Sequence, residues 1–282
     1  MQTIRPKFTL NCGGSLLSLE KPVVMGILNL TPDSFYTESR ALETDKALQK
    51  TAIMIEQGAT IIDLGAQSTR PGAAILTVEE ELNRLQIVLP ELTKAFPETF
   101  FSIDTFYQKT AAFAVKNGVH IVNDVSAFEL DEALLPFVIE SKVPYVLMHP
   151  GNHFNNLLEA SKNENLLKDM MDFFLTKIEP LTASGHPDIV LDPGFGFGKN
   201  LAQNTMLLKN LSAFSIFKMP ILAGLSRKSM IRQLTHTNAT DALTGTIAAN
   251  TIALLNGAKI LRVHDVLAAA QTIQMVEAIC EI

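Results

Sequence analysis

The sequence contains no tryptophan and only 2 cysteines among 282 residues. Cys12 and Cys280 lie near opposite ends of the chain. Two free thiols in a reducing cytosol are therefore favoured, although a disulfide between them stays open. No run approaches the ~20 consecutive apolar residues of a membrane-spanning helix, and no apolar core typical of a signal peptide follows Met1. We therefore expect a water-soluble, cytoplasmic protein.

Charged residues are also scarce, at 18% of the chain, and the formal net charge is −6. This acidic balance makes a large basic face for nucleic acid improbable. Hydrophobic residues reach 47%, and the 13 prolines and 15 glycines are scattered. These values exclude a disordered, collagenous or coiled-coil protein and indicate a globular domain large enough to be an enzyme.

Short apolar runs recur along the chain and are separated by stretches with helical periodicity. Near-continuous apolar runs are typical of strands buried on both faces of a parallel sheet. Eight such runs occur, at residues 23–28, 60–64, 100–103, 119–122, 144–148, 188–191, 220–223 and 259–263.

The intervals between the runs predict helices, the clearest at residues 44–57, 78–95, 166–183 and 242–255. Thr44 and Thr77 are predicted N-caps, and Glu80 completes a capping box with Thr77. Eight strand–helix units in about 250 residues predict an α/β fold, the (β/α)8 TIM barrel. A doubly wound open sheet is the alternative. We expect one domain over residues 1–282, with residues 1–20 forming a short β-hairpin that caps the barrel bottom.

Polar side chains follow nearly every predicted strand. In a barrel the carboxyl ends of all strands meet at one mouth, where active sites are built. A single buried charge could be a structural ion pair, but a polar group at almost every strand end predicts a site. The set includes Asn29, Arg70, Asp104, Asn123, His149, Asp192, Lys228, Arg262 and His264.

The chemistry of this set is of two kinds. Arg70, Lys228, Arg262 and His264 are cationic or can be, and suit an anion. The other kind consists of acceptors and an amide that suit a flat heterocycle with several N–H donors: Asp104, Asn123 and Asp192. Asp104 or Asp192 alone could equally be a carboxylate that caps a backbone turn. Ser229 is predicted at a helix start, which favours a carboxylate or phosphate.

Other motifs are weak or missing. The glycine-rich residues 194–198 lack the spacing of a nucleotide-binding loop and are interpreted as a flexible loop that presents Phe197 over a pocket. The histidines show no metal-binding spacing. Ser226 has no evident His–Asp relay, which argues against a hydrolytic triad. His149 is equally compatible with a wall residue and a functional one, and His120 is interpreted as structural.

Five segments together resemble the dihydropteroate synthase family. They are residues 25–35 (MGILNLTPDSF), 68–72 (STRPG), 192–200 (DPGFGFGKN), 226–229 (SRKS) and 262–265 (RVHD). The resemblance covers about residues 23–278. It implies condensation of 6-hydroxymethyl-7,8-dihydropterin pyrophosphate with p-aminobenzoate, with Mg2+ as cofactor, to give 7,8-dihydropteroate and pyrophosphate in folate biosynthesis.

The resemblance also implies roles for individual residues. The catalytic set would be Asp104, Lys228 and Arg262. The pterin would be held by Asp104, Asn123, Met148, Asp192, Gly224, Lys228 and Arg262. The diphosphate would be bound by Asn29, Arg70 and His264, with Asn29 also at the Mg2+. The p-aminobenzoate would be bound by Phe35, Thr69, Pro71, Phe197 and Ser229.

This resemblance carries further expectations. Departure of the diphosphate would leave a pterin methylene cation stabilised by Asp104, so that the reaction is dissociative and needs no side-chain nucleophile. Sulfonamides are expected as inhibitors and a homodimer as the assembly. The sequence departs from the family pattern after Phe35, at Gln67, where a glutamate is frequent, and at residues 149–153.

Three alternatives remain at this point. A corrinoid-type pterin methyltransferase would share the pterin acceptors but has no need of Arg70 or Lys228. A non-catalytic pterin- or partner-binding protein would be expected to have lost some charged strand-end residues. An active synthase that excludes sulfonamides is the third, and the residues assigned to the p-aminobenzoate pocket argue against it.

Overall fold

The structure, a computed structural model of the chain, describes residues 7–30, 37–67, 75–151 and 165–280. Eight parallel strands close into a barrel, which confirms the TIM barrel over the open sheet. In chain order the barrel strands are β3 (Val23–Asn29), β4 (Ala59–Gly65), β5 (Phe100–Asp104), β6 (Ile121–Asp124), β7 (Tyr145–Met148), β8 (Ile189–Asp192), β9 (Ile221–Ala223) and β10 (Ala258–Val263). β10 pairs with β3 to complete the ring.

Helices alternate with these strands and cover the outside of the barrel. They are α1 (Thr37–Glu56), α2 (Val78–Ala95), α3 (Gln108–Lys116), α4 (Leu134–Ser141), α5 (Leu166–Ala183), α6 (Leu201–Lys209), α7 (Ser229–Thr235), α8 (Leu243–Leu255) and α9 (Val266–Cys280). A 3-10 helix at Leu211–Phe217 precedes β9. The bounds of α2 and α5 agree with the prediction.

Two predicted boundaries are wrong. Helix α1 begins at Thr37, so Thr44 lies inside the helix and does not cap it. The residues before Thr44 include good helix formers, and a threonine inside a helix costs only a few tenths of a kcal/mol. Strand β6 begins at Ile121, two residues after the predicted start at Val119.

The predicted capping box of α2 is present. The backbone N–H of Glu80 donates to Thr77 Oγ1 at 3.3 Å, and Glu80 Oε2 accepts from the backbone N–H of Thr77 at 2.8 Å. These two bonds satisfy backbone donors that the first helical turn leaves unpaired. The start of α2 is thus determined locally, by residues that are neighbours in sequence.

The predicted N-terminal hairpin closes the bottom of the barrel. Strand β1 (Thr9–Cys12) pairs antiparallel with β2 (Ser15–Ser18), and Gly13 and Gly14 form the turn with φ of 65° and 99°. The apolar side of the hairpin packs on side chains inside the barrel. This cluster comprises Leu10, Cys12, Leu17 and Leu19 of the hairpin with Met25, Ile61, Ile121, Val146, Val190, Leu222 and Ile260 of the strands.

Both cysteines are free thiols: Cys12 is buried in the hairpin cluster and Cys280 ends α9. Among the described residues, no helix combines the length and the apolar character needed to span a membrane. The larger hydrophobic core lies between the strands and the surrounding helices. The polar side chains at the strand ends lie at the mouth, outside this core.

Candidate active site at the barrel mouth

Arg262 of β10 is held between two carboxylates, which come from β4 and β5. Its Nε donates to Asp63 Oδ2 at 2.6 Å, and its Nη2 donates to Asp104 Oδ2 at 2.6 Å. Asp63 Oδ2 also accepts from Asn123 Nδ2 at 3.1 Å. The structure therefore brings together three residues that the sequence analysis selected: Asp104, Asn123 and Arg262.

Asp63 is a member of this network that sequence analysis missed. It lies inside the apolar run of β4 and is completely buried. A carboxylate in a strand buried on both faces is costly unless it is paired, and this was the available signal. Asp63 orients both the Asn123 amide and the Arg262 guanidinium.

Burial dominates the electrostatics of this network. It raises the pKa of Asp104 to about 7, against the opposing effect of Arg262. Burial alone would lower the pKa of Arg262, but Asp63 and Asp104 more than compensate and raise it. Arg262 therefore stays charged, and its guanidinium plane is fixed by two carboxylates.

Asp192 ends β8, and Lys228 lies in the loop after β9, directly before α7. Asp192 Oδ1 accepts from the backbone N–H of Gly194 at 2.8 Å. Lys228 Nζ donates to the carbonyl of Phe195 at 2.5 Å and lies 4.2 Å from the centroid of the Phe197 ring. Burial lowers the pKa of Lys228 to about 8 and raises that of Asp192. The ammonium lies over the Phe197 ring, and the negative charges of Asp192 and Asp104 stabilise it.

We interpret the open space beside Gly224, the residue that follows β9, as a slot next to these polar groups. Gly224 is buried, yet no described atom lies within 4 Å of a Cβ built on it. Met148 and Phe197 belong to a small apolar cluster at the mouth, together with Phe106 and Val125. An open volume beside a buried glycine, with apolar walls and polar strand ends, suits a flat, partly polar ligand.

The loop after β8 is not the flexible loop that the glycine-rich sequence suggested. Lys199 Nζ donates to three carbonyls, those of Gly194 at 2.9 Å, His149 at 3.1 Å and Phe197 at 3.1 Å. The backbone N–H of Gly196 donates to Asn204 Oδ1 at 2.7 Å. A buried ammonium that binds three carbonyls fixes the loop, and with it the position of Phe197.

His264 and Ser226 form a pair that sequence analysis missed. Ser226 Oγ lies 3.1 Å from His264 Nδ1 and accepts the backbone N–H of His264 at 3.2 Å. Burial of the ring, then the charges of Arg262 and Arg227, lower the pKa of His264 to about 4. The sequence analysis counted His264 among the residues that are or can be cationic, and with this pKa the ring is neutral near pH 7. Among the described residues, no carboxylate hydrogen-bonds the ring, so the pair is not a hydrolytic triad.

The remaining predicted residues divide into two groups. Asn29 ends β3 and Ser229 is the first residue of α7, as expected for a helix start. Both are exposed at the mouth side of their strands. The other four predicted site residues lie outside the described part of the chain: Phe35, Thr69, Arg70 and Pro71.

Two of the remaining residues, His149 and Gln67, follow strand ends at the mouth, whereas His120 lies at the opposite end of the barrel, just before β6. His149 packs edge-on against Phe173, with ring centroids 4.8 Å apart, and burial lowers its pKa to about 3, which favours the wall interpretation. His120 Nδ1 accepts the backbone N–H of Phe101 at 3.1 Å, which makes it structural as expected. Gln67 Oε1 accepts the backbone N–H of Leu76 at 2.8 Å, an acceptor role that a glutamate would equally fill.

In the described part of the chain, no group of three or more His, Cys, Asp and Glu side chains could hold a metal ion. Asn29 provides an amide oxygen at the mouth, and Mg2+ commonly takes one or two protein oxygens and completes its shell with substrate phosphates and water. The donor set therefore fits an Mg2+ ion that arrives with a phosphorylated ligand.

Comparison with known proteins agrees with this geometry. The profile of the family described as "Pterin binding enzyme" matches residues 25–264. The dihydropteroate synthase of Escherichia coli K12 is 40% identical over 267 residues, with 94% of each chain covered.

Solved structures give the same result. The Xanthomonas albilineans dihydropteroate synthase with 4-aminobenzoic acid has a TM-score of 0.88 at 36% identity, covering 99% of each chain. The Yersinia pestis enzyme in complex with a sulfonamide drug has a TM-score of 0.87 at 37% identity, covering 97% of this chain and 99% of that one. The chain belongs to the pterin-binding enzymes, and within them to the dihydropteroate synthase family.

Proposed function

We propose that this protein condenses 6-hydroxymethyl-7,8-dihydropterin pyrophosphate with p-aminobenzoate to give 7,8-dihydropteroate and pyrophosphate, a step of folate biosynthesis. The observation that carries this function is the cluster of Asp104, Asn123, Asp192, Lys228 and Arg262 around the open slot beside Gly224. Membership of the dihydropteroate synthase family supports the same reaction.

The proposed pterin site uses matched donors and acceptors. Because Asn123 Nδ2 donates to Asp63, the orientation of the amide is fixed and its oxygen is left to accept an N–H of the pterin. Asp104 and Asp192 each have one carboxylate oxygen bound to a protein donor, and the second oxygen is left for the ligand. Lys228 would donate to a ring acceptor, Met148 and Gly224 would line the slot, and Arg262 would stack on the ring.

The diphosphate is assigned to Asn29, Arg70 and His264, with Arg262 nearby. Asn29 would hold an Mg2+ ion together with the diphosphate oxygens. Bound there, the ion would supply positive charge that stabilises the leaving group. His264, neutral near pH 7, would donate a hydrogen bond and not contribute a full charge.

The p-aminobenzoate is assigned to Phe35, Thr69, Pro71, Phe197 and Ser229. Phe197 supports this assignment because its ring lies beside Lys228, so one ammonium contacts both proposed substrate sites. Ser229 begins α7, where backbone N–H groups favour the carboxylate of the substrate.

The chemistry is proposed to be dissociative. The bond between the pterin methylene carbon and the diphosphate oxygen breaks with both electrons on the oxygen, and the cation left behind is stabilised by Asp104. The lone pair of the p-aminobenzoate amine then forms the bond to the methylene carbon, and the proton that the nitrogen loses passes to the released diphosphate or to water. This reaction requires no side-chain nucleophile. It is therefore compatible with a Ser226–His264 contact that no carboxylate extends to a triad in the described part of the chain.

Inhibition by sulfonamides, a homodimer and a cytoplasmic setting complete the proposal. The sulfonamide complex of the Yersinia pestis relative supports the first. An uncharged outer face of α8 supports the second: Ala249 and Ala253 pack inward, whereas Ala248, Ile252 and Leu255 are exposed. Two free thiols are compatible with a reducing compartment. Light scattering that gives twice the chain mass of 30.8 kDa would test the dimer.

The experiment that tests the function is pyrophosphate release by the purified protein, with the pterin pyrophosphate, p-aminobenzoate and Mg2+ each omitted in turn. Release should require all three. Asp104→Asn keeps the shape but removes the charge, and should lower kcat by roughly 10²-fold or more while pterin binding weakens much less.

Asp188→Asn is the matched control, because this carboxylate is buried at the opposite end of the barrel, where it accepts the backbone N–H of Asn11. Its kcat should stay near the wild-type value. Tight pterin binding without any pyrophosphate release would instead support a binding protein, and an unchanged kcat in Asp104→Asn would remove the role assigned to that carboxylate.

A further inference from the structure

Ser226 and His264 connect two loops of the mouth, those after β9 and β10. Ser226 Oγ accepts the backbone N–H of His264 and lies within hydrogen-bond distance of Nδ1 of the same residue. The serine is 6% exposed, while part of His264 remains exposed. One buried hydroxyl therefore contacts both the backbone and the ring of a residue that is itself exposed.

The direction of the contact to Nδ1 follows from counting protons. A serine hydroxyl has one proton to donate and two lone pairs to accept with. The only acceptor for that proton among the described residues is His264 Nδ1. If Nδ1–H donated to the serine instead, the described part of the chain would offer the buried hydroxyl proton no acceptor, and an unpaired buried donor costs ~1–3 kcal/mol. The hydroxyl therefore donates to Nδ1.

A second contact between the same two loops fixes this geometry. Arg227 Nε donates to Asp265 Oδ2 at 2.9 Å, and Arg227 Nη2 donates to Asp265 Oδ1 at 2.6 Å. Arg227 adopts φ of 56°, a conformation that non-glycine residues rarely take and that this two-bond ion pair helps to hold. The ion pair and the Ser226–His264 contact are adjacent in sequence on both loops, so two neighbouring contacts hold the loops together.

Because the His264 ring is neutral near pH 7, its hydrogen-bonding depends on which ring nitrogen carries the single proton. Burial together with Arg262 and Arg227 lowers the pKa of His264 to about 4, so the ring carries a single proton near pH 7. In a neutral imidazole one nitrogen donates and the other accepts. A proton on Nδ1 would leave a lone pair at Nε2, which repels an anion, whereas a proton on Nε2 makes that edge a donor.

We propose that Ser226 is a positioning residue that holds the His264 ring as the Nε2–H tautomer, so that Nε2 donates a hydrogen bond to an oxygen of the diphosphate. This inference rests on the proposed function, in which His264 contacts the diphosphate. Ser226 itself does not contact the substrate and acts through the histidine.

The tautomer is tested by nitrogen-15 NMR of the imidazole at pH 7.5, with His264→Gln used to assign its signals. The wild-type ring should show a protonated Nε2 and an unprotonated, hydrogen-bonded Nδ1. Ser226→Ala should give a mixture of tautomers, and Ser226→Thr, which keeps the hydroxyl, should restore the wild-type pattern. A wild-type ring with its proton on Nδ1, or an unchanged pattern in Ser226→Ala, would overturn the inference.

The consequence for binding is tested with inorganic pyrophosphate and Mg2+ in a titration calorimeter. Ser226→Ala should weaken binding by roughly three- to tenfold, less than the full value of a hydrogen bond to a charged group because a mixture of tautomers keeps part of the Nε2–H form, and Ser226→Thr should restore it. His264→Gln places an amide donor near the position of Nε2 and should retain more affinity than His264→Asn, whose amide lies near the position of Nδ1.

The two assays separate this inference from the proposed function. Normal wild-type binding with equal affinity in Ser226→Ala would overturn the positioning role and leave the proposed function intact. No pyrophosphate binding by the wild type would overturn the assignment of His264 to the diphosphate, and with it both the ligand part of this inference and that part of the proposed function.

Discussion

At the scale of single residues, the mouth of the barrel holds charges in positions that water reaches poorly. Asp63, Asp104 and Arg262 compensate one another through two bonds of 2.6 Å. Lys228 has a carbonyl and an aromatic ring as its immediate partners, and burial lowers its pKa from 10.5 to about 8. A lowered pKa means that the charged form of the lysine is less stable in the folded protein than in the unfolded chain, where water solvates it.

The lysine therefore predicts a pH dependence of stability with a definite sign. Between pH 8 and 10.5 the unfolded chain holds the Lys228 proton that the folded chain has lost, so the free energy of unfolding contributed by this group rises with pH. Relative to Lys228→Met, the wild type should gain on the order of 1 kcal/mol across this window, the partial exposure of the side chain limiting the effect.

Urea unfolding of both proteins at several pH values between 7 and 11 measures this difference. Lys50→Met, which changes an exposed lysine of α1, is the control and should show a pH-independent difference from the wild type. The same flat difference for Lys228→Met would contradict the lowered pKa.

At the scale of elements, the loop after β8 is held in place by close backbone contacts. Gly194 has φ of 68°, and a Cβ built there would lie 2.1 Å from the carbonyl oxygen of His149. The same carbonyl accepts from Lys199, which also binds two carbonyls of the loop itself. The ends of β7 and β8 are thereby joined at the point where Asp192 and Phe197 enter the slot.

Gly194→Ala is expected to damage both stability and activity. The methyl group cannot fit against the His149 carbonyl, so the loop must move, which should cost more than the ~1–3 kcal/mol of a strained positive φ and lower kcat/KM for both substrates. Urea unfolding and steady-state kinetics measure the two effects.

Gly185→Ala is the matched control for this substitution. Gly185 has φ of 73°, but no described atom lies within 4 Å of a Cβ built on it. It should lose only the conformational term, about 1 kcal/mol, with unchanged kinetics. Equal losses in the two variants would show that the His149 contact contributes nothing.

At the scale of the whole molecule, the barrel separates stability from chemistry. The hairpin closes the bottom with an apolar cluster, and the polar strand ends occupy the mouth. A core substitution at the bottom should therefore change stability without changing the reaction, as is general for barrels whose sites lie at the carboxyl ends of the strands.

Leu17→Ala tests this separation. Leu17 is 3% exposed within the bottom cluster, so its truncation should lower the free energy of unfolding by about 2–4 kcal/mol while kcat/KM at 25 °C stays near the wild-type value. Leu16→Ala, one residue away on the exposed face at 69% exposure, should be nearly neutral in both measurements. A large loss of activity in folded Leu17→Ala would show that the hairpin reaches the site.

Features that depend on nearby residues were predictable. The capping box of Thr77 and Glu80, the turn at Gly13 and Gly14, and the apolar runs of the strands are local, and their patterns are legible in the chain. The start of α1 was mispredicted because Thr44 is acceptable both as an N-cap and inside a helix.

The sequence by itself determined the strand–helix alternation, the barrel, and which strand ends carry charge, because these follow from periodicity and residue type. Which side chains become hydrogen-bond and ion-pair partners was decided only by closure of the barrel. It brings Arg262 to Asp63 across 199 positions and to Asp104 across 158, and it brings His264 to Ser226 across 38. Burial at the mouth then decided the charge states, including the neutral His264, since the cost of charge depends on surroundings that closure of the barrel creates.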